Sequence, residues 1–309
     1  MKSYERGLRS SGREPRLLAI DLDGTLLDPN GVVRPVVRDA IATVRAAGVT
    51  VVTTTGRSPM GARGVCLELG LSGPQFTMNG AVYGSPITGE VEWARRLEAE
   101  EVRDHLDFAR AWGLGATLCL LDGFAVESLA GSEEPTELPS FVTRSGLRIE
   151  PSLHALAGEC VIRTYLATNP DQHAAALRAA QIAFGAKASI VWTDDLGFEL
   201  LGAGTNKGSS LAAMAATMGI ARTEIAAIGD GPNDLELLRF AGTSAAMRNA
   251  PDDVRAVATY VVPTSAEDGV VHALRQFYPE MPLPSAIPAP DRRELLISMG
   301  PMDLIESAA

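Results

Sequence analysis

Short apolar runs alternate with amphipathic stretches over the first eighty residues. The apolar run at residues 17–20 predicts a buried strand, and residues 35–47 carry apolar side chains at helical spacing. The β-branched run 49–55 predicts a second strand, residues 60–69 a second helix and residues 75–78 a third strand. Strands that alternate with helices are typical of a parallel sheet with crossover helices, so this pattern predicts an α/β fold.

The pattern changes after a predicted hairpin at residues 83–96. The next segment combines charged helices with alternating strands, at 98–112, 116–121, 124–128, 160–168, 170–183 and 188–192, around a polar loop at 131–139. The strand–helix alternation then resumes, with elements at 198–201, 209–218, 224–228, 235–240, 244–247, 252–258, 259–262 and 268–277. We therefore expect one α/β core domain that is interrupted by an inserted α+β unit.

The expected boundaries follow from these changes. The core domain takes residues 16–97 and 194–278, and the inserted unit takes residues 98–193. Residues 1–15 form a polar arm, and residues 279–309 form a proline-rich tail with a short helix near 292–298.

Polar side chains follow the predicted strands of the core. Asp21 and Asp23 end the first strand, Thr55 ends the second and Asn79 ends the third. The carboxyl ends of parallel strands meet at one edge of the sheet, where sites form in such folds. Two buried acids repel each other unless something compensates, and a divalent cation such as Mg²⁺ is the simplest compensation. An ordinary turn at Asp-Leu-Asp-Gly is the alternative interpretation.

The second half of the core adds Lys207 and the pair Asp230 and Asp234. Two carboxylate pairs can hold one Mg²⁺, while Lys207 and Thr55 supply a charge and a hydrogen-bond donor for phosphate oxygens, which suits phosphoryl transfer. Competing motifs fail: the order Lys-Gly-Ser is wrong for a phosphate loop, and neither the dinucleotide fingerprint nor a hydrolase serine elbow is present.

The amino-acid composition excludes some classes of binding partner. The 309 residues are 46% hydrophobic and carry 38 acids against 27 bases, a net charge of -11. This balance argues against a sequence-independent nucleic-acid binder and a polybasic membrane surface. Three dispersed cysteines fit a reducing cytoplasm, and no apolar run approaches the length of a membrane helix. We expect a cytoplasmic protein without nucleic-acid or membrane partners, and the oligomeric state stays open.

The ordered motifs Asp-x-Asp-Gly-Thr, Thr-Gly-Arg, Asn-Gly-Ala, Lys-Gly and Gly-Asp-x-x-Asn-Asp resemble those of the haloacid dehalogenase (HAD) superfamily. The resemblance covers about residues 17–277. It is strongest to the Cof-type branch, class IIB, whose α/β cap follows the third strand. It implies a Rossmann-like parallel-sheet core with an inserted cap of the C2B type.

The resemblance also implies a mechanism. Asp21 would attack phosphorus to form an aspartyl phosphate, and Asp23 would protonate the leaving oxygen and then activate water. Mg²⁺ would bind the carboxylates of Asp21 and Asp230 and the main-chain carbonyl of Asp23. Asp234 or Asn233 would hold the metal shell, directly or through water.

Thr55, with Thr54 as a rival, and Lys207 would bind the transferring phosphoryl group. Candidate substrate-binding residues are Gly56, Arg57, Asn79, Gly80 and Asn233, although Arg57 and Asn79 could equally brace loops. In the inserted unit, Arg144, Arg148, Arg163 and Trp192 are candidate substrate contacts, each more often a surface or packing residue.

Three functions compete. The leading hypothesis is a Mg²⁺-dependent phosphatase for a small phosphorylated metabolite, with a sugar phosphate as the preferred class. A phosphomutase of the same superfamily, similar to phosphomannomutase, would return the phosphoryl group to another hydroxyl. A catalytically weak sugar-phosphate-binding regulator is disfavoured, because Asp21, Asp23, Lys207 and Asp230 are all present.

Overall fold

A computed structural model describes residues 14–128, 146–194 and 196–285 of the chain. The loop expected at 131–139, the helix expected near 292–298 and the candidate Arg144 lie outside the described residues, as do most of the arm and the tail.

The described residues form fourteen strands and eight α-helices, numbered here in chain order. The strands are β1 Leu17–Ile20, β2 Thr50–Thr53, β3 Gln75–Thr77, β4 Val82–Gly84, β5 Val91–Ala94, β6 Gly115–Leu120, β7 Phe124–Glu127, β8 Leu147–Glu150, β9 Val161–Ala167, β10 Ala188–Asp194, β11 Gly197–Gly202, β12 Ile225–Gly229, β13 Thr243–Met247 and β14 Tyr260–Val262. The helices are α1 Pro35–Ala46, α2 Pro59–Glu68, α3 Ala99–Trp112, α4 Pro170–Phe184, α5 Lys207–Thr217, α6 Leu235–Phe240, α7 Asp252–Val257 and α8 Gly269–Phe277.

The first sheet is parallel and has the strand order β14-β13-β12-β1-β2, which confirms the predicted α/β core. Its central strand β1 is buried on both faces because successive side chains point to opposite sides. Leu18 and Ile20 pack into an apolar cluster with α1, α2 and α8, whereas Leu17 and Ala19 pack with α5, α6 and α7. Helices therefore cover both faces of the sheet, and the ends of its strands are left for polar groups.

The third predicted strand joins this sheet only marginally. A single parallel bridge, Thr54 to Phe76, links β3 to the end of β2, and β3 then forms an antiparallel three-stranded sheet with β4 and β5. The expected hairpin in this region is confirmed as β4 and β5.

The second sheet has the order β10-β11-β9-β6-β7-β8 and is antiparallel except for the parallel pair β7 and β8. Helices α3 and α4 pack on it through two apolar clusters, and the sequence pattern missed β8.

One assignment within the second sheet was wrong. Residues 198–201 were expected to belong to the core, but β11 pairs with β9 and β10 along its length. We therefore propose that the inserted unit extends to Gly202 rather than to residue 193. Among the described residues, none of the helices has the length and apolarity needed to cross a bilayer.

Candidate active site

The loops that follow β1, β2 and β12 meet at one edge of the first sheet. They bring Asp21, Thr55 and Asp230 together, and Lys207 enters from the first turn of α5. Gly24 allows this approach: its φ is +80°, and a Cβ atom there would collide with the Asp230 carboxylate. The sequence prediction that strand ends gather these groups agrees with this geometry.

Lys207 is fully buried and bridges two acids. Its Nζ donates to Asp21 Oδ1 at 2.6 Å and to Asp234 Oδ1 at 2.7 Å. Burial raises the pKa of Asp21 well above its ordinary value, although Lys207 opposes this effect. For Lys207, burial would lower the pKa, but the two carboxylates raise it above its ordinary value. Lys207 therefore stays charged and fixes one oxygen of Asp21.

Asp234 organises the loop after β12. Its Oδ2 accepts hydrogen bonds from the backbone N–H groups of Asp230 at 3.0 Å and Gly231 at 2.9 Å, and it is completely buried. Thr25 Oγ1 donates to Asp230 Oδ1 at 2.6 Å. Since both oxygens of Asp234 already accept hydrogen bonds, Asp234 is better placed to support a metal shell than to enter it. Burial raises the pKa of Asp230 to about 6.

The carboxylates of Asp21 and Asp230, supported by Asp234, fit a divalent cation. Carboxylate oxygens of the three acids lie within 4.8 Å of one another. Lys207 compensates only part of their charge, so a hard cation with oxygen ligands suits this donor set. Three of the four acids expected around Mg²⁺ thus lie together, and the Asp23 carboxylate does not join them.

Asp23 points away from this cluster. Its carboxylate accepts two hydrogen bonds from Arg57, at 2.8 Å from Nε and 2.6 Å from Nη2, and its side chain is 59% exposed. Thr55 is buried, and its Oγ1 accepts from the backbone N–H of Arg57 at 3.1 Å. The neighbouring Thr54 Oγ1 is buried without a hydrogen-bond partner among the described residues. The preference for Thr55 over Thr54 stays a prediction.

A cavity of about 440 Å³ opens in front of these groups. Core residues line most of its wall, and the second sheet contributes Arg163, Trp192 and Glu199. The predicted core residues in the wall are Asp21, Asp23, Gly56, Arg57, Asn79, Asn233 and Asp230. Gly80 instead packs against α5, where its carbonyl accepts from Ser210 Oγ at 2.8 Å.

The sequence missed Glu199, which is 2% exposed and ion-paired with Arg163 at 2.7 Å. A lone acid in the apolar run Phe-Glu-Leu-Leu was the available signal, because an acid buried in a strand requires a partner. Of the other candidate cap residues, Trp192 lies in the cavity wall, whereas Arg148 pairs with Glu159 at 2.6 Å and is not among the lining residues.

Comparison with known proteins identifies the family. The family model that describes the haloacid dehalogenase-like hydrolases matches residues 18–274 of this sequence. The phosphoglycolate phosphatase of Methanoculleus marisnigri is 27% identical over 85% of this chain and 97% of its own length. The 5-amino-6-(5-phospho-D-ribitylamino)uracil phosphatase YitU of Bacillus subtilis is 27% identical over 86% and 98%.

Among solved structures, the HAD subclass IIB sugar phosphatase BT4131 superimposes with a TM-score of 0.71 at 22% identity. The match covers 85% of this chain and 98% of that one. This likeness confirms the predicted fold, a parallel-sheet core with a second sheet region. Because the family model spans most of the sequence, this chain belongs to the haloacid dehalogenase-like hydrolases.

Proposed function

We propose that the chain is a Mg²⁺-dependent phosphatase that hydrolyses a small phosphorylated metabolite through an aspartyl phosphate. The observation that carries this proposal is the buried cluster in which Lys207 holds Asp21 beside Asp230 and Asp234. A fixed nucleophilic carboxylate, a cation site and a buried ammonium group are the components that phosphoryl transfer requires.

In this mechanism Lys207 holds Oδ1 of Asp21, and the other carboxylate oxygen attacks phosphorus. Arg57 is placed to exchange the Asp23 carboxylate for an anionic substrate. The released Asp23, which is exposed to solvent, takes up a proton from water and then donates it to the leaving oxygen. Asp23 then takes the proton from the water that cleaves the aspartyl phosphate. Thr55 supports the phosphoryl oxygens, with Arg57 and Asn79 at the rim.

Asp21, Asp230 and the main-chain carbonyl of Asp23 would hold Mg²⁺, with Asp234 and Asn233 behind them. When bound, Mg²⁺ would offset the charge of the carboxylates and of the phosphoryl oxygens.

A sugar phosphate is the substrate class we favour. The cavity combines the amide side chains of Asn233 and Asn249, which can bond hydroxyl groups, with the 44% exposed ring of Trp192. Among similar proteins, BT4131 is a sugar phosphatase, whereas two curated relatives act on phosphoglycolate and on a ribitylaminouracil phosphate. The relatives therefore support a small phosphate ester as substrate. Within that class, we favour a sugar phosphate because of the amide and aromatic side chains in the cavity wall. We place the enzyme in the cytoplasm from its three dispersed cysteines.

The test is phosphate release from sugar phosphates, phosphoglycolate, nucleotides and p-nitrophenyl phosphate, with and without Mg²⁺. We expect Asp21→Asn to lose activity by about 1,000-fold or more, since the nucleophile is removed. Asp39→Asn, on the exposed face of α1, is the matched control. Undiminished hydrolysis by Asp21→Asn would overturn the mechanism. Isomerised product without net release would indicate a phosphomutase, and ligand binding without turnover would indicate a regulator.

A further inference from the structure

Four polar side chains form a connected chain from the second sheet into the active site. Arg163 Nη1 contacts Glu199 Oε1 at 2.7 Å, and Asn79 Nδ2 donates to Glu199 Oε2 at 2.7 Å. Asn233 Nδ2 then donates to Asn79 Oδ1 at 3.0 Å. We call Arg163, Glu199, Asn79 and Asn233 the polar chain.

The polar chain touches three separate loops of the site. Arg163 Nη1 also donates to the backbone carbonyl of Gly56 at 2.7 Å, in the loop after β2. Asn79 lies in the loop after β3, and Asn233 lies in the loop after β12. Each of these loops carries residues proposed above to bind substrate or metal.

Backbone hydrogen bonds link two of these loops directly. The N–H of Asn79 donates to Thr55 O at 2.9 Å, and the N–H of Met78 donates to Arg57 O at 2.8 Å. Asn79 itself has a φ of +55°, a left-handed conformation that asparagine tolerates better than most residues. Both ends of its carboxamide are bonded, so a shift of Glu199 changes the preferred orientation of Asn79 and then of Asn233.

Burial and charge favour a positioning role for this pair over direct phosphate binding. Arg163 is 1% exposed, and Glu199 matches its charge. A paired guanidinium contributes no net charge to the cavity wall. Since an unpaired charge at this depth would be costly, the two side chains stay paired, and each also bonds a loop of the core: Arg163 bonds Gly56 O and Glu199 accepts from Asn79.

We propose that Arg163 and Glu199 are positioning residues that set the arrangement of the loops after β2, β3 and β12. Seating of the second sheet and assembly of the active site are then one event. The kinetic consequence rests on the proposed phosphatase function, but the coupling of the loops does not.

The direct test is hydrogen exchange of the whole protein, without metal or substrate, in the wild type and in Glu199→Gln. In the wild type, one oxygen of Glu199 bonds Arg163 and the other bonds Asn79. The substitution replaces one of these two oxygens by an NH₂ group, which donates, so the side chain can no longer accept from both partners at once. We expect exchange at residues 55–57, 78–80 and 230–234 to rise together by about tenfold, while β1 and β12 keep wild-type protection. Glu159→Gln is the matched control: within the described part of the chain, the hydrogen bonds of the Glu159 carboxylate go to Arg148 of the same sheet and not to the three loops.

The kinetic test uses p-nitrophenyl phosphate with Mg²⁺. We expect Glu199→Gln to lower kcat by about 100-fold with a smaller change in KM, as small misplacements of reacting groups do. Exchange that rises uniformly, or only in β9–β11, would show a structural role alone and overturn the proposal. If Glu199→Gln does not fold, Asn79→Ser decides, with increased exchange expected at 55–57 and 230–234. If the wild type hydrolyses nothing, the phosphatase proposal fails, while the exchange data still decide the coupling.

Discussion

The two sides of the cavity each bury an ionic cluster, and the clusters differ in charge balance. At the end of the first sheet, Asp21, Asp230 and Asp234 surround one cation, Lys207. In the second sheet, Arg163 faces one acid, Glu199, and each is at most 2% exposed. The first cluster therefore has an excess of negative charge, and the second is neutral.

This difference in charge balance separates a site that suits a cation from a site whose charges are already matched. Burial raises the pKa of all three acids, Asp21, Asp230 and Glu199, so the pKa values do not separate the clusters. The charge balance does: both oxygens of Glu199 are bonded, to Arg163 and to Asn79, whereas three acids share Lys207. A cluster with excess negative charge suits the binding of a cation and catalysis, whereas a cluster without net charge suits the positioning of neighbouring loops.

The largest loss of stability and activity is expected when the negative charge of the first cluster is increased further. Lys207→Met leaves three acids without their cation, and we expect the free energy of unfolding to fall by about 3–5 kcal/mol. Phosphatase activity should fall by about 100- to 1,000-fold, because a buried charge beside the nucleophile is lost. Chemical denaturation and phosphate release measure the two effects.

The effect of Mg²⁺ on the melting temperature tests the same charge excess. In Lys207→Met, Mg²⁺ should raise the melting temperature by more than in the wild type, because the ion then supplies the only compensating charge. Lys187→Met is the control, since Lys187 is exposed in the turn between α4 and β10. A Mg²⁺ response that is absent from both proteins would contradict a cation site at these acids.

A smaller effect, with a defined sign, is expected from pH. Burial raises the pKa of Asp230 from 3.8 to about 6 in the folded protein. Between these values the unfolded chain releases a proton that the folded protein keeps, so stability falls as pH rises. The decrease in the free energy of unfolding is complete above about pH 7 and amounts to at most about 3 kcal/mol.

Asp230→Asn should remove this loss. In metal-free buffer we expect it to be more stable than the wild type at pH 7 and to lose this advantage as the pH falls from 6 towards 4. Asparagine still accepts the hydrogen bond from Thr25. With Mg²⁺ the order should reverse, because the variant lacks a ligand. Urea titrations at pH 4, 6 and 7.5 provide the measurement, and an advantage that persists at pH 4 would contradict the assignment to this carboxyl.

The sequence predicted the core and the first cluster because both depend on local signals. Apolar runs that end in Asp21, Thr55 and Asp230 indicate a strand and its carboxyl end together, and strand ends in a parallel sheet must meet. Glu199 offered only a lone acid in an apolar run, and Arg163 was a candidate without a partner, because the pairing of the two side chains depends on which strands pair. The assignment of β11 to the core failed for the same reason: strand character is local, but the choice of partner strand is a tertiary property. The rotation of Asp23 towards Arg57 is likewise a side-chain contact that no spacing reveals.

The smallest effect is expected from Trp192, the aromatic contribution of the second sheet to the cavity. It lies in the cavity wall with 44% of its surface exposed and carries no charge, so its removal leaves both ionic clusters intact. We expect Trp192→Ala to raise KM for a ring-bearing phosphate ester by about 2- to 10-fold, the size of one aromatic contact, with kcat nearly unchanged. Trp192→Phe should recover most of the loss, and glycerol phosphate should respond less than a hexose phosphate. Equal losses in kcat for all esters would instead make Trp192 part of the machinery that positions the loops, and the division of labour between the two sides of the cavity would fail.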